Sequence, residues 1–465
     1  MPEAVIIAAC RLGSVLAPAG HGKTETIVKA AQIGRRSLIL THTHAGVHAL
    51  RSRLRRLGVP ASAAAVETIA GWSMKYANAF PTAGDPPKGL PTLPEDWERI
   101  SRGAVKVMSL KAVRHIIACS YDRIFVDEYQ DCGELHHALV LTLSSILPTV
   151  VFGDPMQGIF EFTGDSIRWT EHVEPHFPLA AELLVPRRWE GKDPALGAWI
   201  AETRSKLMRG ELIDLQSGPV HFIQAPDAFA MEAFFEGFIE REGSMAAIHC
   251  RRGMCDKLAK ATRGAFQSIE EIAAKRLRQF ALDWDQAATL PARLVALRSL
   301  HADCFAQKEL AAGEVDADED VLVIADLKSF GERYKRTGEL SHIKSIFSLA
   351  RKHPRWRLFR GELWRDANKA FSEVSAGRSA SLTDAVDTIR QRTSQSGRAT
   401  QKRTISTPLL LKGLEFDHVL IPDASHFLKE STAHAKLFYV AISRATRSLS
   451  ITSPDRYIRF PIPNL

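Results

Sequence analysis

The chain lacks an apolar run long enough to cross a bilayer, so its sequence predicts no membrane-spanning helix. It has only 6 cysteines in 465 residues, and these are scattered without the paired spacing of a zinc site. We therefore expect reduced thiols and neither a disulfide framework nor a cysteine-bound metal. The first residues also lack the basic start and cleavage site of a signal peptide, so we expect a cytoplasmic protein.

Composition is otherwise ordinary for a globular protein with a sizeable core. Hydrophobic residues make up 45% of the chain and charged residues 25%. A length of 465 residues is enough for two or three domains. The net charge of +8 agrees with a polyanionic partner, although a mild excess of this kind identifies none.

The segment from Ala17 to Thr24 reads APAGHGKT and lies between a short apolar run and a helix-like run. Strand, glycine loop and helix in this order are typical of a phosphate-binding loop. The glycines allow backbone N–H groups to surround a phosphate, Lys23 adds a positive charge, and Thr24 offers a hydroxyl to Mg²⁺. Because Ala17 replaces the usual first glycine, an ordinary glycine turn is the alternative for this segment alone.

A second segment, Arg123 to Asp131, reads RIFVDEYQD and predicts a buried strand that ends in two carboxylates. In a nucleotide hydrolase, Asp127 would hold Mg²⁺ through water and Glu128 would accept a proton from the attacking water. The alternative is an ordinary strand followed by an acidic turn. The order of the two segments, about a hundred residues apart, favours the hydrolase.

A series of ordered segments resembles the superfamily 1 DNA helicases of the UvrD/Rep type. Besides the two above, the matching segments are LILTHTHAGVHALRSR (38–53), VETIAGW (66–72), VFGDPMQGIFEFTG (151–164), PRRW (186–189), LKGLEFD (411–417) and LFYVAISRA (437–445). The resemblance extends over residues 17–446, and only the interior from about 255 to 395 has no counterpart in it.

The resemblance implies an α/β fold of two RecA-like parallel-sheet domains, with a reduced 1B insertion and a helical 2B-like insertion. Alternating strand-like and helix-like runs agree with this class. The predicted boundaries are residues 1–185 for domain 1A with a short insertion near 78–105, 186–250 and 395–465 for domain 2A, and 251–394 for the helical insertion.

The resemblance also assigns site residues. The predicted catalytic residues are Lys23, Glu128, Gln157, Arg188 and Arg444, the two arginines reaching across from a second domain. The predicted nucleotide-binding residues are Ala19, Gly20, His21, Gly22, Lys23, Thr24, Glu25, Arg187, Gly413 and Glu415, with Mg²⁺ held by Thr24 and Asp127. If each residue is considered alone, the alternative to a site role is a surface charge at a helix end for Arg444. For Glu415 the alternative is an exposed turn residue.

Several positions depart from the family pattern. No glutamine precedes the phosphate loop to read adenine, and Arg187 stands where a tyrosine usually stacks on the base. Leu409 replaces a usual His or Gln, and Thr163 replaces a usual arginine. We therefore expect weaker discrimination of ATP from other triphosphates than is usual for the family.

Binding of a single strand needs aromatic platforms and positive charge. The predicted DNA-binding residues are His42, Trp72, Phe160 and Phe162. A core position is the alternative for each of the three aromatics, and a solvated histidine turn is the alternative for His42. The segment 351–360 interleaves basic and aromatic residues, which fits duplex DNA, a protein partner or simply an exposed amphipathic segment.

The prediction is therefore an ATP-dependent DNA helicase or translocase of UvrD type, an ATP hydrolase that uses ATP and Mg²⁺. The resemblance implies 3′→5′ movement on single-stranded or tailed duplex DNA. The alternative is an ATPase subunit that senses nucleic acid and regulates a partner such as a nuclease, as in anti-phage systems of the Gabija kind. No membrane partner is expected.

Overall fold

The computed structural model of the chain describes residues 2–89, 91, 93–160, 167–237, 240–268, 272–307, 318–396, 402–430 and 433–465. The chain forms two compact units. Unit 1 comprises Met1–Pro219, Phe427–Arg447 and Tyr457–Leu465, and unit 2 comprises Val220–His426 and Ser448–Arg456. Among the described residues, no helix has both the length and the apolar character needed to cross a membrane.

Unit 1 is built on a six-stranded sheet. Its strands are β1 (Leu12–Leu16), β2 (Ser37–Thr41), β3 (Ala64–Thr68), β4 (Arg123–Val126), β5 (Thr149–Gly153) and β6 (Leu179–Glu182). The order is β3-β2-β4-β5-β1-β6, and every neighbouring pair is parallel. The carboxyl ends of β4, β5 and β1 therefore lie side by side at one edge, where ligands of parallel α/β sheets usually bind.

Helices cover both faces of this sheet. They are α1 (Pro2–Ala9), α2 (Lys23–Ala31), α3 (His44–Arg56), α4 (Ile69–Ala79), α5 (Pro81–Gly84), α6 (Pro94–Met108), α7 (Lys111–Ser120) and α8 (Glu134–Ser144). Unit 1 also contains α9 (Pro194–Arg209) and, late in the chain, α19 (His434–Ile442). A short antiparallel ribbon, β7 (Leu212–Asp214) with β16 (Tyr457–Arg459), completes the unit.

Alternation along the strands divides the apolar residues of unit 1 between two cores. Leu38 and Leu40 of β2 belong to one buried cluster, whereas Ile39 between them belongs to the other. The same alternation separates Val151 of β5 from Phe152. Successive strand residues point to opposite faces, so a sheet covered on both sides needs apolar residues at nearly every position.

The insertion near residues 78–105 folds onto unit 1. It consists of α5 and α6. Ala104, Val107 and Met108 of α6 are buried in the core beneath the sheet. The insertion therefore stabilises this unit by burying apolar surface.

Unit 2 holds the second sheet. Its strands are β8 (His221–Gln224), β9 (Met245–Ile248), β10 (Gln267–Ser268), β13 (Arg403–Ser406), β14 (Phe416–Ile421) and β15 (Ala445–Ser453), in the order β10-β13-β9-β14-β15-β8. The β10–β13, β13–β9, β9–β14 and β15–β8 pairings are parallel. The α/β class with two RecA-like domains is confirmed.

The helices of unit 2 fall mostly between β10 and β13. They are α10 (Met231–Phe235), α11 (Arg252–Ala261), α12 (Ile272–Gln286), α13 (Leu290–Cys304), α14 (Asp318–Thr337), α15 (Leu340–Ala350), α16 (Gly361–Ser375), α17 (Leu382–Ser396) and α18 (Pro408–Leu411), with a small antiparallel pair β11 (Phe305–Gln307) and β12 (Trp356–Leu358). Helices α12 to α17 share a core of their own around Trp284, Trp364 and Phe371. The helical character predicted for this interior is present.

Candidate active site

The predicted phosphate loop connects the end of β1 to the start of α2. Gly20 and Gly22 have φ angles of 75° and 85°, a left-handed conformation that other residues rarely adopt. A Cβ atom on Gly20 would also lie 2.7 Å from the ring of Trp189. Glycine is therefore required at Gly20 on two independent grounds. Lys23 and Thr24 then open α2, where backbone N–H groups point toward the loop.

The two carboxylates follow β4 and contact Lys23 directly. The Lys23 ammonium lies 3.0 Å from Oδ1 of Asp127 and 2.5 Å from Oε1 of Glu128. Burial by itself would lower the pKa of Lys23, but the charges of Asp127 and Glu128 outweigh it and raise that pKa. Glu128 has a φ of 56°, which is unusual for a residue with a side chain. The local backbone thus holds a strained residue at the predicted catalytic base.

Gln130 connects Glu128 to the end of the neighbouring strand β5. Its side-chain amide donates to Oε2 of Glu128 at 2.5 Å, and its carbonyl oxygen accepts the backbone N–H of Asp154 at 3.1 Å. Gln130 is itself buried. Because both ends of its amide group are engaged, Gln130 holds the Glu128 carboxylate in one orientation relative to β5.

Asp154 is the centre of a buried polar cluster. Its side chain is fully buried and accepts hydrogen bonds from the guanidinium of Arg204 at 2.8 Å and from the amide of Gln157 at 3.1 Å. It also accepts the backbone N–H of Met156 at 3.2 Å. Asp154 therefore positions the amide of Gln157, one of the predicted catalytic residues.

Tyr439 of α19 extends the cluster to the phosphate loop. Its hydroxyl accepts the backbone N–H of Ala19 at 2.9 Å. The Arg204 guanidinium lies 5.9 Å from the centre of the Tyr439 ring. Burial and the nearby Asp154 charge both raise the pKa of Tyr439, so its hydroxyl keeps its proton.

The segment with Arg187 and Arg188 packs directly on the phosphate loop. The backbone N–H of Arg188 donates to the carbonyl of Gly20 at 2.8 Å, and its guanidinium donates to the carbonyl of Ser443 at 2.6 Å. Arg187 is exposed, pairs with Glu190 at 3.0 Å, and its Cγ lies close to Gly22. Both arginines belong to unit 1, the unit that carries the loop.

Arg444 is almost fully buried, at 1% exposure, so it is not the surface charge that was its alternative. Its guanidinium donates to the carbonyl of Val440 at 2.9 Å and to the hydroxyl of Ser443 at 2.9 Å. It lies just beyond the end of α19 and, like Arg188, belongs to unit 1. Sequence reasoning had assigned both arginines to a second domain.

The other residues predicted to bind the nucleotide differ in burial and in their polar partners. His21 is buried, which lowers its pKa, and its Nδ1 lies 2.9 Å from the carbonyl oxygen of Ala19. Glu25 forms ion pairs with Lys29 at 2.8 Å and Arg53 at 2.5 Å, so its carboxylate faces cations on α2 and α3. Gly413 and Glu415 are exposed and belong to unit 2.

The predicted DNA-binding residues do not form one exposed surface. Trp72 is fully buried in the core beneath the sheet, 4.3 Å from the Tyr76 ring between centroids, so the structure favours its core alternative. His42 is half-buried, with Nε2 3.3 Å from the Cys132 thiol. Phe160 is half-buried and lines a cavity of about 310 Å³. Phe162 lies outside the described residues.

Sequence reasoning gave no role to Tyr439, Asp154, Gln130 or Arg204. The first three lie inside the segments that resemble the helicase motifs, but those motifs did not predict which residues they contact. Arg204 had a signal of its own, because it interrupts the buried face of α9 formed by Ile200, Thr203 and Leu207. A charge on an apolar helical face predicts a buried partner.

Two family models match parts of the chain. A family model of the UvrD/REP helicase N-terminal domain matches residues 95–178, and a model of the viral superfamily 1 RNA helicase core domain matches residues 335–453. No curated protein matches the chain. A solved structure of the PRRSV helicase has a TM-score of 0.34 and 13% identity, covering 97% of this chain and 54% of that one. The chain thus spans about half the length of that helicase. The two family matches support a superfamily 1 helicase.

Proposed function

We propose that this chain is an ATP-dependent helicase or translocase of the UvrD type that acts on single-stranded DNA. One observation carries the proposal. Lys23, at the end of a glycine loop, contacts both Asp127 and Glu128 at the sheet edge where β1, β4 and β5 end. A phosphate-binding lysine and two carboxylates at one edge are the parts that phosphoryl transfer needs.

Each part has a chemical task. The ammonium of Lys23 and the loop N–H groups would bind the terminal phosphates, and Glu128 would accept the proton of the attacking water. Thr24 and Asp127 offer the oxygen ligands that Mg²⁺ prefers, and a bound Mg²⁺ supplies positive charge that the phosphates need. Binding of the triphosphate would give Lys23 a new anionic partner and release Glu128 to act as a base.

Arginines beside the loop would neutralise charge that develops in the transition state. Arginine contacts of this kind are typically worth a factor of roughly 10³–10⁵ in rate. Arg188 is the better placed, because its backbone bonds Gly20 of the loop and its side chain is only half-buried. Arg444 is held by Val440 and Ser443, so its contribution requires those two hydrogen bonds to open.

Charge, accessible side chains and the sequence motifs support a nucleic-acid partner. The net charge of +8 favours a polyanion, and His42 and Phe160 are both partly accessible next to the carboxylate segments. Single-stranded DNA, 3′→5′ movement and the UvrD type follow from the sequence motifs. One matching family model describes RNA helicases, so the experiment compares DNA with RNA.

Steady-state hydrolysis of ATP is the first experiment, with no nucleic acid, with single-stranded DNA and with RNA of the same sequence. We expect hydrolysis that DNA stimulates more than RNA. Strand displacement on duplexes with a 3′ or a 5′ tail then tests movement, and we expect unwinding only from the 3′ tail. DNA-stimulated hydrolysis without displacement of either duplex would instead favour the ATPase subunit that regulates a partner.

A further inference from the structure

A cavity of about 570 Å³ opens in the helical part of unit 2, and none of its lining residues belongs to the proposed active site. It lies between α15, the strand β12 and the first turns of α16. We call it the α15–α16 cavity. Cavities of roughly 300–1,000 Å³ suit small organic ligands. Its residues lie in the interior that has no counterpart in the sequence motifs.

The floor of the α15–α16 cavity is aromatic and rigid. Phe347 and Trp364 line it, both are almost fully buried, and their ring centroids are 4.2 Å apart. The indole N–H of Trp364 donates to the carbonyl of Phe347 at 3.3 Å, which holds the two helices in register at this point. Leu358 of β12 adds an aliphatic wall. Because other side chains cover most of both rings, the floor offers a ligand a small apolar patch and not an open ring face.

The mouth of the cavity is cationic. Arg351 and Lys352 follow the end of α15 and are exposed, and the part of the chain that the structure describes offers neither an ion-pair partner. Arg365 of α16 adds a third positive charge to the lining. Its neighbour Asp366 lies 3.6 Å from it but pairs more closely with Lys369, at 3.2 Å. The mouth therefore keeps a net positive charge.

Two polar atoms of the lining are buried without a hydrogen-bond partner among the described residues: Oδ1 of Asn368 and Nε of Arg365. Nε of Arg365 lies 3.6 Å from the Asp366 carboxylate, so Oδ1 of Asn368 is the atom of the two that a ligand would satisfy, since buried polar atoms are nearly always hydrogen-bonded. Gln267 differs, because its amide is engaged by the carbonyl of Leu358 at 2.9 Å and the N–H of Gly361 at 2.8 Å. Gln267 shapes the wall, whereas Asn368 remains available to a ligand.

We propose that the α15–α16 cavity binds a nucleoside phosphate. The base would lie against Phe347 and Trp364 with its polar edge toward Asn368, and the phosphate would meet Arg351, Lys352 and Arg365. The same chemistry is present in a free mononucleotide and in the terminal nucleotide of a nucleic-acid strand. This site does not depend on the proposed hydrolysis, because it shares no residue with the phosphate loop.

The test measures binding calorimetrically with the full chain carrying Lys23→Ala, so that the phosphate loop does not compete. Adenosine monophosphate is one probe. A short thymidine oligonucleotide with a 5′ phosphate and the same oligonucleotide with a 5′ hydroxyl are the others. Arg351→Ala/Lys352→Ala removes two cations of the mouth. Lys328→Ala/Lys344→Ala removes the same charge from exposed positions of α14 and α15 that do not line the cavity.

We expect saturable binding of adenosine monophosphate with one site per chain. The Arg351/Lys352 variant should weaken it at least about tenfold, since hydrogen bonds to charged groups are the strong ones. Asn368→Ala should also weaken it, and the Lys328/Lys344 variant should not. Tighter binding of the 5′-phosphorylated oligonucleotide than of its hydroxyl form, with competition by the mononucleotide, would identify a strand end as the source. Binding of the mononucleotide alone would identify a free nucleotide.

Absence of saturable binding for all three probes would overturn the proposal. Equal weakening of binding by the Lys328/Lys344 variant would also overturn it. The effect would then follow from the loss of positive charge anywhere on the protein and not from the cavity. In the chain with Lys23 intact, Arg351→Ala/Lys352→Ala should leave ATP hydrolysis unchanged. A failure of hydrolysis is therefore separable from a failure of this site.

Discussion

The backbone N–H of Ala19 in the phosphate loop donates a hydrogen bond to the hydroxyl of Tyr439, 2.9 Å away and 420 positions later in the chain. The same hydroxyl lies near the charge of Asp154, which holds Gln157 and Arg204. One buried phenol thus lies between the main chain of the loop and the cluster that holds Gln157, a predicted catalytic residue. The position of the loop and the orientation of Gln157 are therefore coupled through Tyr439.

Replacing Tyr439 with Phe tests that coupling. The change keeps the ring but leaves the Ala19 N–H without its acceptor, and a buried unsatisfied group costs about 1–3 kcal/mol. We expect a loss of stability of that size in urea denaturation and weaker binding of ATP. Tyr121→Phe is the matched control, because Tyr121 is buried but its hydroxyl has no such bond to the loop. Equal effects of the two changes would contradict the coupling.

The pair of Arg204 and Asp154 should be the most sensitive ion pair of unit 1. Both side chains are buried, at 9% and 0% exposure, and lie 2.8 Å apart. Arg204→Met leaves the Asp154 charge unpaired, which typically costs about 3–5 kcal/mol. Adding Asp154→Asn removes that charge, so the double variant should recover part of the stability. Lys206→Ala on the same helix breaks an exposed pair with Glu202 and should cost about 1 kcal/mol or less.

Hydrolysis should depend on Lys23 and on Glu128 in different ways. Lys23→Ala removes the phosphate-binding charge, so both turnover and triphosphate binding should fall. Glu128→Gln removes the base but keeps the loop and Asp127, so turnover should be lost while ATP still binds. Steady-state hydrolysis and equilibrium binding of ATP measure the two quantities. Turnover near that of the wild type in Glu128→Gln would mean that another residue is the base.

Nucleotide choice should be broad. No glutamine precedes the loop, and Arg187, exposed and paired with Glu190, replaces the expected tyrosine. A site that depends on phosphates and stacking does not reject other bases strongly. We expect kcat/KM for ATP to exceed that for GTP by less than about a hundredfold, or about 2.7 kcal/mol. A larger preference in hydrolysis of the four triphosphates would reveal an adenine-reading residue elsewhere.

Trp72 should matter for stability and not for DNA. The side chain is fully buried, so Trp72→Ala should cost about 3–5 kcal/mol through the cavity that it leaves. Its indole N–H has no hydrogen-bond partner among the described residues, so Trp72→Phe breaks no hydrogen bond and should cost less. Fluorescence anisotropy with labelled single-stranded DNA should give the same affinity for Trp72→Phe and the wild type. A loss of affinity of about 1–3 kcal/mol would restore the stacking interpretation.

The local parts of the site were predictable from sequence. The loop from Ala17 to Thr24 and the strand that ends at Asp127 are defined by residue types at fixed spacing, and the structure brings Lys23 and the two carboxylates together. The class of fold was predictable for a similar reason, because continuous apolar strands alternating with helices permit few arrangements other than a covered parallel sheet.

Burial and distant partners were decided by the tertiary structure. The same pattern of residues allowed Trp72 to face a strand of DNA or the core, and only the packing of α4 against α6 and the sheet made it a core residue. The hydrogen bond between Ala19 and Tyr439 joins positions too far apart for local periodicity to relate them.

The sequence by itself therefore determined the chemistry of the loop, the carboxylate strand and the α/β class, because each depends on the order of neighbouring residues. Only the tertiary structure decided which polar groups share a buried cluster and which cations surround a cavity. Those outcomes depend on the desolvation of groups from different elements, and no single stretch of sequence contains that information.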